Sequence, residues 1–296
     1  MNYLLSEIAA IIGGRLVGSD LAVRGIATDS RSLLSSQDVV FAAIDGKNHD
    51  GHNYIERMLQ RGVRAFIVER EVSLDMKGCG MVVVDSTIAA LQRLAAHHRA
   101  HFEGRVVAIT GSNGKTVVKE WLYQLLKEDY HITRSPKSYN SQIGVPLSVW
   151  ALNQNSQVAI FEAGISQPGE MEALQRIIQP TIGVFTGLGP AHQENFHTME
   201  QKRTEKMLLF KDCPVVLEAD EALADAMERN RELCARVCRH LGMKEEVIQE
   251  RLHRLEPVAM RLEVKQGRHS CTLINDTYNS DLSSLDIALD FMNRRP

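Results

Sequence analysis

The chain has 296 residues, of which 44% are hydrophobic and 24% charged, the composition of a globular protein long enough for about two domains. A net charge of -3 gives no global attraction to nucleic acid or to a membrane surface. Aromatic residues are 5% of the chain, too few for a base-stacking platform, so no nucleic-acid partner is expected.

The opening stretch "MNYLLSEIAAIIGG" reads as a short amphipathic helix ending at Gly13-Gly14. It has no basic lead and Glu7 interrupts it, unlike a signal peptide. No stretch reaches the ~20 apolar residues of a membrane span. The five cysteines, Cys79, Cys213, Cys234, Cys238 and Cys271, form no CxxC pair, so neither a disulfide framework nor a zinc site is expected. Cys234 and Cys238, four apart on a predicted helix, read as buried thiols. These features point to a reducing, cytoplasmic compartment.

Residues 1–85 alternate short apolar runs with turns and read as a small mixed α/β domain. Residues 86–101 form a predicted helix with Ser86 as N-cap, and "FEGR" follows as a joint, making 86–104 a connecting segment. From 105 to 296 fully apolar strand candidates recur: "VVAIT" (106–110), "QVAIFEAG" (157–164), "TIGVFTG" (181–187), "CPVVLEA" (213–219) and "CTLIND" (271–276). Helical stretches separate most of them, which predicts a doubly wound, mostly parallel sheet. The fold class is therefore α/β, a small mixed α/β domain followed by a doubly wound, mostly parallel-sheet domain. Several strands end in residues able to do chemistry: Thr110-Gly111, Glu162, a run leading to His192, and Asp276. In an open parallel sheet, ligands bind beyond such carboxyl ends.

After "VVAIT" come Gly111, Ser112, Asn113, Gly114, Lys115 and Thr116, and then a helical pattern with apolar Val117, Val118, Trp121, Leu122, Leu125 and Leu126. A glycine turn between a strand and a helix N-terminus presents free N–H groups to an anion. The lysine adds a point charge for phosphates, and the hydroxyl can face Mg²⁺. A full P-loop would carry glycine at position 109, where this chain has Ile109, so the loop is a shortened variant.

"AITGSNGKT" closely resembles the ATP loop of the Mur ligase family, which also includes folylpolyglutamate synthase. "ATDSRSL" (27–33) and "VVFAAIDGKNHDGHNYI" (39–55) resemble that family's uridine-binding domain. "SYNSQIGVPLSVW" (138–150), "FEAGISQPGEME" (161–172), "GPAHQENF" (189–196) and "INDTYNSDLSSLDIAL" (274–289) most resemble the branch that joins D-alanyl-D-alanine to UDP-N-acetylmuramoyl-tripeptide. The motifs stand in the family's order along nearly the whole chain.

The resemblance implies ATP and Mg²⁺ as cofactors, the two named compounds as substrates, an acyl phosphate as intermediate, and a monomer. By the same resemblance, Lys115 meets phosphate, and Thr116 and Glu162 hold magnesium. His192 helps hold a second magnesium, and Lys206 becomes a carbamylated metal ligand; a surface lysine beside Lys202, Arg203 and Lys211 is the alternative. Asn230, Arg261, Asp276 and Asn279 receive ATP. The family has glycine before that arginine, where this chain has Met260. Ser30, Arg31 and His52 meet the uridine end, with a capped turn and surface ion pair as the alternative for Asp29-Ser30-Arg31. Asn140 and Ser141 face the muramoyl-peptide end. The run at 217–233 is shorter than the family's, and a family ligase carries a further C-terminal domain after the helix that ends near Pro296. Another family member, or a nucleotide-binding piece inactive without that domain, are the alternatives.

Overall fold

The computed structural model describes residues 2–31, 38–46, 49–72, 77–189, 195–278 and 282–293. The chain divides into two compact units, Met1–Glu103 with Gln142–Gln154, and Gly104–Ser141 with Asn155–Pro296.

In the first unit, β1 (Tyr3–Leu4) leads into α1 (Leu5–Ile12), which ends at left-handed Gly13 (φ 71°). Then come β2 (Arg15–Gly18), β3 (Ala22–Val23), β4 (Gly25–Ala27), β5 (Val39–Ala42), α2 (Ile55–Gln60), β6 (Ala65–Val68), β7 (Gly80–Val83) and α3 (Thr87–Ala100). The main sheet has the order β2-β7-β6-β5-β4, parallel except where β2 meets β7. Side-chain alternation divides its core in two. Val40, Ile67 and Val82 pack with Leu5, Ile8 and Ile12 of α1 and Leu91 and Leu94 of α3. Phe41, Phe66 and Met81 pack with Ile55 and Met58 around α2. Ser86 caps α3 as its sequence predicts, its hydroxyl accepting from the Ala89 N–H at 3.3 Å.

The second unit holds β8 (Arg105–Thr110), α4 (Lys115–Leu126), β9 (Ile132–Arg134), β10 (Val158–Glu162), α6 (Glu170–Ile178), β11 (Ile182–Phe185), α7 (Met199–Met207), β12 (Val216–Glu218), α8 (Ala226–His240), α9 (Glu245–His253), β13 (Glu263–Gln266), β14 (Thr272–Asn275) and α10 (Leu282–Asn293). Its main sheet is parallel throughout, in the order β12-β11-β8-β10-β9. One face, with Val107, Ile109, Ile160 and Val184, packs on Val118, Leu122 and Leu125 of α4 and on Leu233, Cys234 and Cys238 of α8. The two thiols are core residues, as expected. The chain runs from β8 toward β9 and β10 on one side, then crosses to β11 and β12 on the other. The switch point therefore lies beyond the end of β8, where a ligand crevice forms.

Three features differ from the sequence reading. "CTLIND" is not a strand of the parallel sheet: β14 pairs antiparallel with β13 in a separate two-stranded ribbon, and Thr272 and Leu273 are exposed. The fifth parallel strand is β9, which is half-buried and pairs only with β10; an edge strand needs no continuous apolar run, so it escapes a search for one. Residues 142–154, placed by their sequence position within 105–296, belong to the first unit. Their helix α5 (Gly144–Trp150) buries Val145 and Val149, Trp150 donates to the Arg24 carbonyl at 2.9 Å, and the Trp150 ring lies against Tyr3 and His98.

Candidate functional site

The turn between β8 and α4 is shaped by two glycines. A Cβ on Gly111 (φ 143°) would lie 2.1 Å from the Thr186 hydroxyl, and one on Gly114 (φ 86°) 2.8 Å from Asn230 Oδ1. Glycine fits both positions, because the segment after β11 closes on Gly111 and Asn230 of α8 closes on Gly114. The Thr186 hydroxyl donates to the Asn113 carbonyl at 2.5 Å, the Ser112 N–H to the Gly187 carbonyl at 2.9 Å, and the Ser112 hydroxyl to the Gly189 carbonyl at 3.1 Å. Gly114 caps α4, so the free N–H groups of a twelve-residue helix open onto the loop.

Lys115 folds back over this turn. Its ammonium donates to the carbonyls of Gly111 and Ser112, both at 2.9 Å. Lys206 reaches the same Gly111 carbonyl at 3.1 Å from α7. One turn earlier on that helix, Lys202 donates to the Gly189 carbonyl at 2.6 Å. Lys202 and Lys206 are 1% and 4% exposed, so the surface-lysine alternative for Lys206 fails, and they are the buried residues of α7. Burial is a large cost for ammonium groups, and three of them meet here. Loss of hydration pushes the Lys206 ammonium down to about 7, with the charges of Lys115 and Lys202 adding to it. Lys115 is half-buried by surface area but ringed closely by protein; desolvation pushes it down to about 8, opposed by Glu162 and assisted by Arg261 and Lys202. Such a cluster of cations beside a helix N-terminus is built for a polyanion.

Beside it lies an oxygen pair. The Thr116 hydroxyl donates to Glu162 Oε2 at 3.2 Å and lies 3.1 Å from the Ser138 hydroxyl. Glu162 ends β10 and is fully buried, and its Oε1 makes no hydrogen bond. Lys119 Nζ stands 3.1 Å from that oxygen, close enough for charge attraction, but donates instead to the carbonyls of Ser135 and Lys137. A buried carboxylate with one oxygen, Oε2, against a hydroxyl is a donor set for a hard divalent cation.

On the opposite side of the loop a cleft is lined by Asn113, Gly114, Asn230, Arg261 and Asp276, with Val117, Met227 and Ile287 as apolar walls. Asp276 Oδ1 accepts from the Leu262 N–H at 3.2 Å, and the Arg261 guanidinium lies 4.1 Å from the centre of the Tyr278 ring. Met260 adopts φ 60°, the left-handed shape that a glycine would take without strain. Asn140 lies against the close approach of Gly164, whose N–H donates to the Asn140 carbonyl at 2.8 Å; Ser141 is exposed beside it. His192 and Asn279 lie outside the described residues. Thus Gly111 to Thr116, Glu162 and Lys206 come together at one point, and Asn230, Arg261 and Asp276 at the adjoining cleft. The sequence reading did not find Lys119, Ser138, Lys202 or Thr186. A spacing of four from Lys115 to Lys119, and from Lys202 to Lys206, is the one signal that marks the two lysines.

In the first unit Ser30 is buried. Arg31 pairs with Asp29 through Nε at 3.0 Å and Nη2 at 2.8 Å, and its side chain is 83% exposed. The Arg31 backbone N–H also donates to Asp29 Oδ1 at 2.9 Å, the geometry of a capped turn. Both ring nitrogens of His52 are engaged: Nε2 accepts from the Glu69 N–H at 3.0 Å, and Nδ1 lies 2.7 Å from Asp50 Oδ1.

The chain is similar to known proteins of one family. Residues 109–273 match the Mur ligase middle domain, and residues 22–99 match the Mur ligase family catalytic domain. The UDP-N-acetylmuramoyl-tripeptide–D-alanyl-D-alanine ligase of Bacillus subtilis is 32% identical over 226 residues, 74% of this chain and 49% of that protein. That of Rickettsia prowazekii is 34% identical over 182 residues, 60% of this chain and 40% of that protein. The chain thus spans about half the length, or less, of these curated relatives. Among solved structures, MurF ligase from Thermotoga maritima in complex with ADP superposes with a TM-score of 0.80 at 25% identity, over 93% of this chain and 75% of that one. MurF from Acinetobacter baumannii shares the fold, with a TM-score of 0.90 at 21% identity over 100% of this chain and 77% of that one. With the family's middle domain matched over more than half of its length, the chain belongs to the Mur ligase family.

Proposed function

We infer that this chain carries the nucleotide and UDP-substrate parts of an ATP-dependent amide ligase, which joins D-alanyl-D-alanine to UDP-N-acetylmuramoyl-tripeptide in peptidoglycan precursor synthesis. One observation carries the reading: two ammoniums converge on the Gly111 carbonyl at the N-terminus of α4, beside the Thr116–Glu162 oxygen pair. A carboxylate is a poor electrophile, so ATP first phosphorylates it, and the amine then attacks the acyl phosphate with release of ADP and phosphate. The protein's share of this is alignment and charge neutralisation.

Lys115 and the α4 N–H groups hold the β- and γ-phosphates, with Lys202 adding positive charge. Asn230, Arg261 and Asp276, with Asn279, receive the rest of ATP. The oxygen donors of Thr116 and Glu162 suit Mg²⁺, and a buried carboxylate with its Oε2 against that hydroxyl is what supports this reading. Bound there, Mg²⁺ supplies charge stabilisation for the phosphate oxygens. His192 is a further ligand by resemblance. With its pKa at about 7, Lys206 is largely free amine above neutral pH, the form that adds carbon dioxide, and the Lys115 and Lys202 ammoniums would stabilise the resulting carbamate. Ser30, Arg31 and His52 take the uridine end, and Asn140 and Ser141 face the muramoyl peptide. No helix among the described residues is long and apolar enough to cross a membrane.

The test is phosphate release from MgATP with one acceptor at a time. UDP-N-acetylmuramoyl-tripeptide should stimulate release, and the dipeptide form and folates should not. Stimulation by a folate or by the shorter UDP-peptide would reassign the chain to another branch of the family.

A further inference from the structure

Lys119 lies one turn beyond Lys115 on α4 and has no surface exposure, although lysine is among the residues least often buried. Its ammonium meets four oxygens. It donates to the Ser135 carbonyl at 2.9 Å and to the Lys137 carbonyl, and stands 3.0 Å from Glu120 Oε1 and 3.1 Å from Glu162 Oε1. Lys137 is left-handed (φ 50°), a conformation that a non-glycine residue keeps where its surroundings hold it. The turn so held carries Ser138, whose hydroxyl touches Thr116, and the Ser135 hydroxyl accepts from the Glu162 N–H at 3.2 Å. One ammonium therefore joins the three pieces of the oxygen site: the first turns of α4, the end of β10 and the turn after β9.

The placement divides the Glu162 carboxylate. Oε1 faces Lys119 as a charge partner without a directed hydrogen bond, while Oε2 is turned to Thr116. Opposite the ammonium, charge attraction holds the carboxylate in one orientation. Glu120 also faces this ammonium, and Arg134 balances its charge, donating to its Oε2 at 3.1 Å and lying 3.5 Å above the Tyr123 ring.

We propose that Lys119 is a positioning residue of the magnesium site: it holds the Glu162 carboxylate and the Ser135–Ser138 turn against Thr116, and so sets how strongly nucleotide-bound Mg²⁺ is retained. This rests on the reading of Thr116 and Glu162 as the metal pair. Lys119 itself touches neither metal nor phosphate.

The experiment measures ADP binding by calorimetry to the 296-residue chain across a Mg²⁺ titration, with Mn²⁺ retention in the presence of ADP followed by electron paramagnetic resonance. Lys119→Met should need at least about tenfold more Mg²⁺ for half of the metal-dependent gain in ADP affinity. Its ADP affinity in a chelator should stay within about twofold of wild type, because Lys115 is untouched. Lys119→Arg keeps the charge but not the placement. It should shift the midpoint by about threefold or more, and it decides the matter if the methionine variant does not fold. A purely structural role would lower the unfolding midpoint and leave the Mg²⁺ dependence of the folded protein unchanged. Superposition of the Lys119 variants on wild type, with Thr116→Ala displaced, overturns the inference and leaves the metal pair standing. No metal-dependent gain in the wild type overturns the metal pair itself.

Discussion

At the scale of single residues, the phosphate site is a contest between hydration and charge. Lys115 and Lys206 share the Gly111 carbonyl, and burial lowers both pKa values, to about 8 and about 7. Lys115→Ala removes one charge-assisted contact, so ATP affinity should fall by about 1.5–3 kcal/mol, one to two decades, with the circular dichroism spectrum unchanged. Equal calorimetric affinities would remove Lys115 from the site. The same pKa values set a pH dependence. A bound polyanion raises that of Lys115, so ADP binding near pH 8 should take up protons, and affinity should weaken as pH rises from about 7 to 9. Calorimetry at pH 8 in two buffers of different ionisation enthalpy reads the uptake, and identical heats would contradict it. The stability contribution of the free protein has the opposite trend. Both folded pKa values lie below that of an unfolded lysine, so between them the unfolded chain binds more protons. Stability from these groups is lowest below about pH 7 and grows as pH rises toward 10.5.

Among the elements, α7 is unusual in burying lysines rather than apolar residues. Its N-cap is sound, Thr198 accepting from the Gln201 N–H at 3.0 Å, so local signals form the helix and the site sets what it buries. Lys206→Met should stabilise the ligand-free chain by on the order of 1 kcal/mol, because an apolar side chain of similar length replaces a desolvated ammonium. The same change should weaken ADP binding. Urea unfolding and ADP titration of the one variant check both, and a loss of stability would mean that Lys206 braces the loop. The segment before β13 presents the reverse case. Met260 is left-handed (φ 60°) and exposed, and nothing in its side chain requires that shape. Met260→Gly should therefore raise stability by up to about 1 kcal/mol, read as a higher urea midpoint at constant slope. An unchanged or lower midpoint would show that the methionine packs usefully.

For the whole molecule, the proposed substrate and nucleotide residues fall in different units. Ser30 and Arg31 belong to one, and the phosphate loop with its lysines to the other. Arg31→Ala should weaken binding of UDP-N-acetylmuramoyl-tripeptide by about tenfold, the worth of one exposed charge-assisted contact, and leave ADP affinity within about twofold. Equal loss of both would place Arg31 in the fold instead of in recognition. The Asp29 carboxylate, held down to about 2 chiefly by its hydrogen bonds from Arg31, keeps the pair ionised at neutral pH.

The local order strand, glycine turn, lysine, hydroxyl, helix was legible in the sequence because each part has a local cause: apolar run, positive-φ glycine, N-terminal amides, and apolar spacing on α4. The capped helix α3, the buried thiols and the parallel sheet followed from the same kind of pattern. Tertiary structure alone decided which distant groups meet. Lys119 and Lys202 look like solvated helix residues until the Ser135, Lys137 and Gly189 carbonyls are brought to them, and periodicity has no term for an acceptor far along the chain. Thr186 looks like the end of a strand until its hydroxyl closes on Asn113. β9 escaped because an edge strand pairs on one side and needs little apolar content, and β14 misled because an apolar run says nothing of its partner. Residues 142–154 joined the other unit because burial of Val145, Val149 and Trp150 depends on where an apolar surface is free, which spacing along one chain does not encode.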